Sequence, residues 1–295
     1  MRFSILTIVS AIAATVVMAA PQLTKRDAAS DLGVLNYALT LEHLEAEFYE
    51  QGLAKFGASA FKKVYHGRGK QVRQRFVHIG EHESTHVNTL ISVITSLGGT
   101  PVEKCKYKFP LDTVEQFVAV AQALENTGVS AYLGAASGLS GDLLTAAATI
   151  TTVEARHSSY LNELLWQKGA PYSFDTPLTP REIVTIAINF IESCPQEVGV
   201  VPFTQLTATM PGHGESTVHV AYEGQEAHGD NAYCQFWYDN KVAVSKRSEC
   251  TWPKDACGYV YLVVTDSATP ITRNDEARIW AGPSLLFNGD HYGDH

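Results

Sequence analysis

The sequence lacks the features that mark several common classes of protein. Its five cysteines include no CxxC pair, which argues against a structural zinc site, and no Asn-x-Ser/Thr site is present, so N-glycosylation is not expected. Collagen-like, low-complexity and disordered compositions are absent as well. After residue 20 no segment is long and apolar enough to cross a bilayer. The 295 residues, 45% of them hydrophobic, are enough for one large folded domain or two modest ones.

The first 20 residues, MRFSILTIVSAIAATVVMAA, resemble a secretory signal peptide. One basic residue, Arg2, precedes an apolar run that ends in small residues. A membrane anchor is the alternative, which the short apolar run disfavours. Residues 21–26 are a possible propeptide that ends at the dibasic pair Lys25-Arg26, so we expect a secreted protein, extracellular or in the cell wall, that starts at Asp27.

Positive charge is scarce along the chain. There are 22 Lys and Arg against 31 Asp and Glu, a formal net charge of −9. Removal of Arg2, Lys25 and Arg26 with the leader would leave 19 basic residues and a charge of −12. An acidic protein is a poor partner for nucleic acid and for anionic membranes, so we expect neither.

All five cysteines follow the predicted leader, and secretion into an oxidising compartment favours disulfides. Two disulfides and one remaining thiol are the simplest arrangement. Cys105 and Cys194 each follow a predicted helix, and we expect them to pair. Pairing of Cys250 with Cys257, or of either with Cys234, remains open.

Five helices are predicted in the first two-thirds of the chain, over about 31–56, 70–97, 112–137, 140–168 and 179–193. Gly98-Gly99 ends the second, Asp112 and Glu115 fit a capping box for the third, and the sequence TPRE from Thr179 fits one for the fifth. Because the loop between the third and fourth helices is short, those two are expected to be antiparallel neighbours. Four long helices predict a four-helix bundle, over residues 27–195, with the short fifth helix attached.

Beyond residue 200 the pattern changes to one typical of strands. Segments 217–224, 233–246 and 258–267 are rich in valine and aromatic residues, and Asp239-Asn240 has the composition of a hairpin turn. The predicted fold is therefore mainly α, with a smaller β-rich region over residues 200–295.

Two of the long helices carry a Glu-x-x-His pair on their apolar face. In HIGEHESTH (78–86), Glu83 and His86 follow a 3-4 spacing within a stripe formed by Phe76, Ile79, Leu90, Ile94 and Leu97. Glu154 and His157 do the same on the fourth helix, among Ile150, Val153, Leu161 and Leu164. Ionisable groups on an apolar face are costly unless they are paired or bound to metal. His82 lies beside the first stripe and is a possible hydrogen-bond partner of a ligand.

The other two long helices each present a glutamate on the same kind of stripe. These are Glu125 on the third helix and Glu42 or Glu45 on the first. Tyr132 follows Glu125 by seven residues and Tyr49 follows Glu42 by seven, which favours Glu42 as the ligand. Glu45 is then an extra or alternate carboxylate. The two tyrosines are possible hydrogen-bond partners of the ligands, or residues that only pack in the core.

Glu42, Glu83, His86, Glu125, Glu154 and His157 are together the ligand set of a dinuclear carboxylate bundle. Carboxylate and imidazole donors suit two iron or two manganese ions better than copper or structural zinc. The alternative is a buried polar network that no longer binds metal.

The chain resembles the secreted ferritin-like proteins of fungi, of the late sexual development and stress-response type, and more distantly the plant desiccation-related proteins. The similarity lies in LNYALTLEHLEAEFYEQGL, HIGEHESTHV, ALENTGVSAYLGAASGL, TVEARHSSYLNELL and AGPSLLF. It implies a ferritin-like bundle, secretion and a link to development or stress, and it places the six predicted ligands at the metal positions. A long connection between the first two long helices and the β-rich tail depart from the family's pattern and argue against a hollow storage cage.

Two functions fit these observations. One is a secreted dinuclear oxidoreductase, an oxidase, ferroxidase or peroxide-handling protein, that acts on a small oxidant or a substrate the sequence does not identify. The other is a metal-free structural or interaction protein of the cell wall or a host surface, for which the β-rich region would supply the binding surface.

Overall fold

The computed structural model describes residues 28–289, apart from residues 140, 167, 213, 273 and 274. The predicted signal peptide and propeptide lie outside the described residues. Within the part described, none of the helices has both the length and the apolar character required to cross a lipid bilayer.

Four long helices form the bundle, as predicted. They are α1 (Ala28–Lys55), α3 (Gly69–Ser96), α4 (Val114–Ala135) and α5 (Gly141–Trp166). Helix α1 packs along α3 and α4 packs along α5, and the two pairs meet through α1 and α4. The prediction of a mainly helical fold with a smaller β region is confirmed.

A short helix, α2 (Ala58–Tyr65), fills the connection between α1 and α3 that was predicted without regular structure. Its N-cap is Gly57, which has no side chain to cap the helix, so the sequence gives no start signal. Phe61 is fully buried and meets Phe76 and Phe117 edge to face, so packing into the bundle core holds this helix in place.

The start of α4 differs from the prediction. Thr113 is the N-cap, because its side chain accepts a hydrogen bond from the Gln116 amide, while the Gln116 side chain accepts one from the amide of Asp112. The predicted capping box of Asp112 and Glu115 is therefore wrong by one residue. The capping box at Thr179 is present and opens α6 (Pro180–Ala187).

Helix α6 ends earlier than the predicted residue 193. A 3-10 turn (Ile188–Phe190) leads into strand β2 (Ile191–Ser193), which pairs antiparallel with β1 (Lys106–Tyr107). This pairing brings the ends of the two strands together, and the predicted Cys105–Cys194 disulfide is confirmed.

The β-rich region has a two-stranded and a four-stranded antiparallel sheet. The first joins β3 (Thr207–Thr209) and β4 (His219–Ala221), and the second has the order β6-β5-β7-β8. Its strands are β5 (Tyr233–Tyr238), β6 (Lys241–Lys246), β7 (Tyr259–Thr265) and β8 (Ile279–Phe287). The predicted hairpin turn is present, with positive φ at Asp239 (44°) and Asn240 (56°), the conformation that Asn and Asp tolerate best.

The second disulfide joins Cys234 of β5 to Cys250, in the loop after β6. Of the pairings left open, the one between Cys250 and Cys257 is therefore wrong, and Cys257 belongs to neither disulfide. Both cysteines of this bond are fully buried.

Strand β7 fastens the four-stranded sheet to the bundle. The Tyr259 hydroxyl donates to Asn162 Oδ1 on α5 at 2.5 Å, and the Tyr261 hydroxyl accepts from Asn126 Nδ2 on α4 at 2.8 Å. All four residues are buried or nearly so. The sheet is thus part of the wall behind the two helices that carry Glu125 and Glu154.

Candidate metal centre

The six predicted ligands lie together in the core of the bundle. Glu42 comes from α1, Glu83 and His86 from α3, Glu125 from α4, and Glu154 and His157 from α5. The four glutamates are fully buried, and the two histidines are 9% and 6% exposed. Helical periodicity places each of these side chains on the stripe that also carries the core residues, and the four stripes face one another.

Three carboxylates surround the Nδ1 atom of His86. The distances are 3.2 Å to Glu42 Oε2, 3.2 Å to Glu83 Oε2 and 3.3 Å to Glu154 Oε1. A single N–H bond can serve one of these three oxygens well. Two donors bound at right angles to one ion, with bonds of about 2.1 Å, would lie about 3 Å apart. The cluster therefore has the spacing of ligands around a shared cation.

His157 occupies the matching position in the second half of the bundle. Its Nδ1 lies 3.1 Å from both Glu83 Oε1 and Glu125 Oε2. Two groups of four donors result, one of Glu42, Glu83, His86 and Glu154, the other of Glu83, Glu125, Glu154 and His157, and within each group the donor atoms lie within 4.8 Å of one another. Glu83 and Glu154 belong to both groups.

Several carboxylate oxygens in this cluster have no hydrogen-bond donor aligned with them. Glu83 Oε1 and both oxygens of Glu154 are buried acceptors without such a partner. Buried unpaired acceptors destabilise a fold, and an unmatched charge does so more strongly. With Glu45 included, five ionised carboxylates and two protonated imidazoles would leave a net charge of −3. Two divalent cations would balance the four carboxylates of the predicted set, so the donors fit such ions.

Burial and mutual repulsion set the protonation of the carboxyl groups. Burial raises the pKa of Glu154 and of Glu45 well above the ordinary value, and the neighbouring carboxylates add to the effect. Burial raises the pKa of Glu42 to about 7 although its hydrogen bond with His86 acts in the opposite direction. For Glu83, burial is outweighed by the two nearby histidines, His157 and His86, which lower its pKa to about 2.

The pKa values of the two imidazoles are raised as well, although burial acts to lower them. Burial lowers the pKa of His86, but the close carboxylates of Glu154, Glu42 and Glu83 outweigh it and raise the pKa to about 12. In His157 the same balance, with Glu125 as the main partner, raises the pKa to about 9. Without a cation the histidines therefore hold protons at neutral pH, and binding of metal requires their release.

The tyrosines predicted to support the ligands make hydrogen bonds across the bundle. Tyr49 on α1 donates to Glu125 Oε1 on α4 at 2.5 Å, and Tyr132 on α4 donates to Glu42 Oε1 on α1. Each glutamate thus keeps its other oxygen toward a histidine, Glu125 toward His157 and Glu42 toward His86. The exchange is reciprocal, as expected for two halves related by an approximate two-fold axis.

His82 supports His157 from the outside of the bundle. Its Nδ1 lies 2.9 Å from His157 Nε2, and the two rings stack with centroids 5.2 Å apart. The ring of His82 is exposed, whereas that of His157 is buried. Contact with the outer nitrogen fixes the orientation of an imidazole whose other nitrogen faces the carboxylates.

Glu45 enters the cluster through a space left by glycine. A Cβ atom at position 128 would lie 2.9 Å from Glu45 Oε1 and 2.8 Å from Glu154 Oε2. Glycine at this position on α4 is thus what lets a fifth buried carboxylate approach Glu154. Sequence comparison of the two halves pairs Glu45 with Gly128 but does not show that they touch.

Sequence reasoning missed the polar residues behind the ligand helices. Asn126 follows Glu125 in the chain and bonds Tyr261, while Ser158 follows His157 and lies 3.4 Å from the Tyr259 hydroxyl. These partners are more than 100 residues apart in sequence, and no local pattern connects them.

A family model, a curated protein and a solved structure are similar to parts of this chain. Residues 30–167 match the family described as Ferritin-like domain, which confirms that the bundle is ferritin-like. Protein rds1 of Schizosaccharomyces pombe is 28% identical over 170 residues, 57% of this chain and 40% of rds1, so the match spans less than half of that curated relative. A solved structure of ferritin-like, diiron-carboxylate proteins from Bacillus anthracis is 19% identical, with a TM-score of 0.40, over 48% of this chain and 99% of that one.

Proposed function

We propose that the ferritin-like domain of residues 30–167 holds two iron or manganese ions and acts as an oxidoreductase. The two overlapping groups of four buried donors carry this proposal. Glu83 and Glu154, common to both groups, would contact both ions. Glu42 and His86 would complete one ion's donors, and Glu125 and His157 would complete the other's.

The donor types support iron or manganese, since carboxylate oxygens and neutral imidazoles are the ligands these ions share. When bound, such a pair supplies redox chemistry toward dioxygen or peroxide. The protein's own residues supply orientation. Tyr49 and Tyr132 hold Glu125 and Glu42 by their outer oxygens, and His82 holds the ring of His157. Burial of the carboxylates keeps bulk water from competing for the ions.

We further propose that the protein acts after secretion. The two disulfides support an oxidising compartment, because such bonds are rare where thiols are kept reduced. The similarity to secreted fungal proteins supports a role in development or stress response. Oxidase, ferroxidase and peroxide-handling activities all use the same donor set, so the choice among them is made by experiment.

The first test is the metal content of secreted protein purified without chelator. We expect about two ions of iron or manganese per chain by mass spectrometry of the metals. The double variant Glu83→Ala/Glu154→Ala should bind none. Glu81→Ala is the matched control, because Glu81 lies on the same helix but is exposed. Absence of metal from the native protein, even after loading with iron(II) or manganese(II), would refute the proposal in favour of a structural role.

The second test identifies the reaction. Protein loaded anaerobically with iron(II) is exposed to oxygen, and oxygen uptake is recorded with an electrode. Manganese-loaded protein is given hydrogen peroxide, and oxygen evolution is recorded in the same way. We expect one of these signals to depend on Glu83 and Glu154 and to be unchanged in Glu81→Ala. A protein that binds two ions but gives neither signal would not be an oxidoreductase of these classes.

A further inference from the structure

A cavity of about 390 Å³ lies between α3 and α5, against the outer side of the candidate centre. His82 and His157 line it, so it reaches the imidazole pair described above. Ile79 and Val153 give it apolar walls. Its exposed basic residues are Arg75 from α3 and Arg156 from α5, two cations on facing helices.

The surroundings of this cavity are basic in an acidic protein. Between Glu50 and Glu81 the chain has no Asp or Glu but seven Lys and Arg, whereas the whole chain carries a net charge of −9. A neighbouring cavity of about 310 Å³ adds Arg68 and the acidic Glu163, and it shares Arg75 with the first. The arginines that line the cavity favour anions over cations at this point of the surface.

Neither arginine forms an ion pair or a hydrogen bond within the described residues. In the described part of the chain, the ion pairs of Lys and Arg involve Lys104, Lys241 and Arg278. Nearby Arg73, by contrast, donates to the backbone oxygens of Phe56 and Leu53 and so has a structural role. Guanidinium groups on a cavity rim without a carboxylate partner are suited to a ligand that brings its own negative charge.

We propose that this cavity binds a small organic carboxylate, held by Arg75 and Arg156, and that the proposed centre therefore acts on an organic anion. The carboxylate would pair with the guanidinium groups, and the apolar body would lie against Ile79, Val153 and the ring of Tyr160. The second part of this statement rests on the proposed function, and the first part does not.

The His82–His157 pair connects the cavity to the ligand set. Nδ1 of His157 faces Glu83 and Glu125, and Nε2 of the same ring faces His82. A molecule bound against these rings lies one imidazole away from the donor cluster. Occupation of the cavity should therefore alter the NMR signals of both rings, which gives a readout independent of turnover.

The probe for the experiment is benzoate, with benzamide as a neutral molecule of the same shape. Binding to the full chain is measured by calorimetry, in metal-free and in metal-loaded protein at low salt. We expect benzoate to bind to both forms at least about tenfold more tightly than benzamide, since the arginines recognise its charge. Inorganic phosphate, added as a competitor, should displace it only weakly.

Variants distinguish binding in the cavity from a general attraction of anions to the basic residues of the surface. Arg75→Gln/Arg156→Gln should weaken benzoate binding about tenfold or more, and Arg75→Lys/Arg156→Lys should retain part of it. Lys62→Gln/Lys63→Gln is the matched control, because it removes the same charge from exposed residues of α2 that do not line the cavity. Far-ultraviolet circular dichroism confirms that each variant is folded, and the lysine pair serves if the glutamine pair is not.

Three results would overturn the inference: no benzoate binding, equal binding of benzamide, or an equal loss in the Lys62/Lys63 control. Tighter binding of phosphate than of benzoate would also overturn the carboxylate assignment. Metal-free protein that binds benzoate but never takes up iron or manganese would refute the proposed function and leave the anion site in place. A protein that binds two ions but does not bind benzoate would refute the anion site and leave the proposed function in place.

Discussion

The two halves of the candidate centre are built alike but are not the same. Each half has a glutamate, a Glu-x-x-His pair and a tyrosine that bonds the glutamate of the other half. Two of their differences lie in the donor cluster or in contact with it. His82, which supports His157, corresponds to Val153 in the other half, and Glu45 corresponds to Gly128. The shared plan assembles the donors, and the departures from it give the two donor groups different surroundings.

The largest expected effect is a loss of bound metal. It should differ between a carboxylate shared by both donor groups and a carboxylate that belongs to one group. Glu154→Gln should reduce the metal content from about two ions per chain to nearly none, since Glu154 belongs to both donor groups. Glu125→Gln should leave about one ion, because Glu125 belongs to one group only. Metal analysis after gel filtration measures both. A Glu154→Gln protein that keeps one full ion would show that the groups do not share this carboxylate.

Without metal, both halves should lose stability as the pH rises. The raised pKa values of Glu154, Glu45 and Glu42 mean that the native state holds more protons than the unfolded state above about pH 4.5. The raised pKa of His157 and of His86 acts in the same direction above about pH 6.5. The chelated protein should therefore melt roughly 5 °C lower at pH 8 than at pH 5, about 2 kcal/mol.

Metal loading should cancel that loss, because the ions replace the protons. Calorimetric scans of chelated and loaded protein at both pH values make the comparison. Glu154→Gln should reduce the pH dependence of the metal-free form, and the exposed Glu81→Gln should not. Chelated protein that is more stable at pH 8 would contradict the assignment.

Gly128→Ala tests the departure at Glu45. The added methyl group meets both Glu45 and Glu154 and should destabilise the protein by about 1–3 kcal/mol through overpacking. Adding Glu45→Ala should relieve the contact. If Glu45 is an extra carboxylate, the double variant should bind two ions. If the double variant binds fewer than two, Glu45 is itself a ligand.

His82→Ala should weaken the binding of one ion and leave the binding of the other unchanged. Loss of a group that orients a ligating histidine typically reduces affinity about 10- to 100-fold. Titration with iron(II) under nitrogen, followed by calorimetry, should show one strong and one weakened site. His78→Ala is the control, because His78 is exposed on the same helix and bonds Gln74 instead. Equal weakening of both sites would show that His82 acts on the whole cluster.

The tyrosines should give the most symmetric effect. Tyr49→Phe and Tyr132→Phe each remove a hydrogen bond to a carboxylate, which is worth about 1.5–3 kcal/mol at most when the acceptor is charged. Their effects on metal affinity should be alike. Tyr37→Phe is the control, because the buried Tyr37 hydroxyl has no hydrogen-bond partner in the described residues. Unequal losses of metal affinity would mean that the surroundings of the two donor groups differ in more than His82 and Glu45.

Much of the bundle and the clustering of its donors could be predicted from the sequence. A helix repeats every 3.6 residues, so a glutamate within an apolar stripe is placed in the core by spacing alone. Glu42, Glu83, Glu125 and Glu154 all meet that condition, and the seven-residue offset to a tyrosine distinguishes Glu42 from Glu45. The ligand roles themselves stay predictions until metal is measured.

Other features of the structure could not be predicted from local patterns, because they depend on contacts between residues far apart in the sequence. Arg75 and Arg156 line one cavity only because α3 and α5 are neighbours there, and Tyr261 meets Asn126 across 135 residues. Strand β8 was not predicted, because Gly282 and Pro283 interrupt its pattern. Gly282 has a φ of 97° and adjoins the register shift between β7 and β8, where a side chain would meet the Leu262 carbonyl.

The Cys105–Cys194 disulfide joins residues 89 positions apart and makes a covalent ring of α4, α5 and α6. That ring contains Glu125, Glu154 and His157. A protease that cuts the chain once inside it leaves both fragments attached, so half of the donors cannot drift away from the rest. Such a nicked molecule would run as one band on a gel until a reductant is added. In the extracellular setting proposed above, the bond would keep the cleaved chain together as well as stabilise the fold.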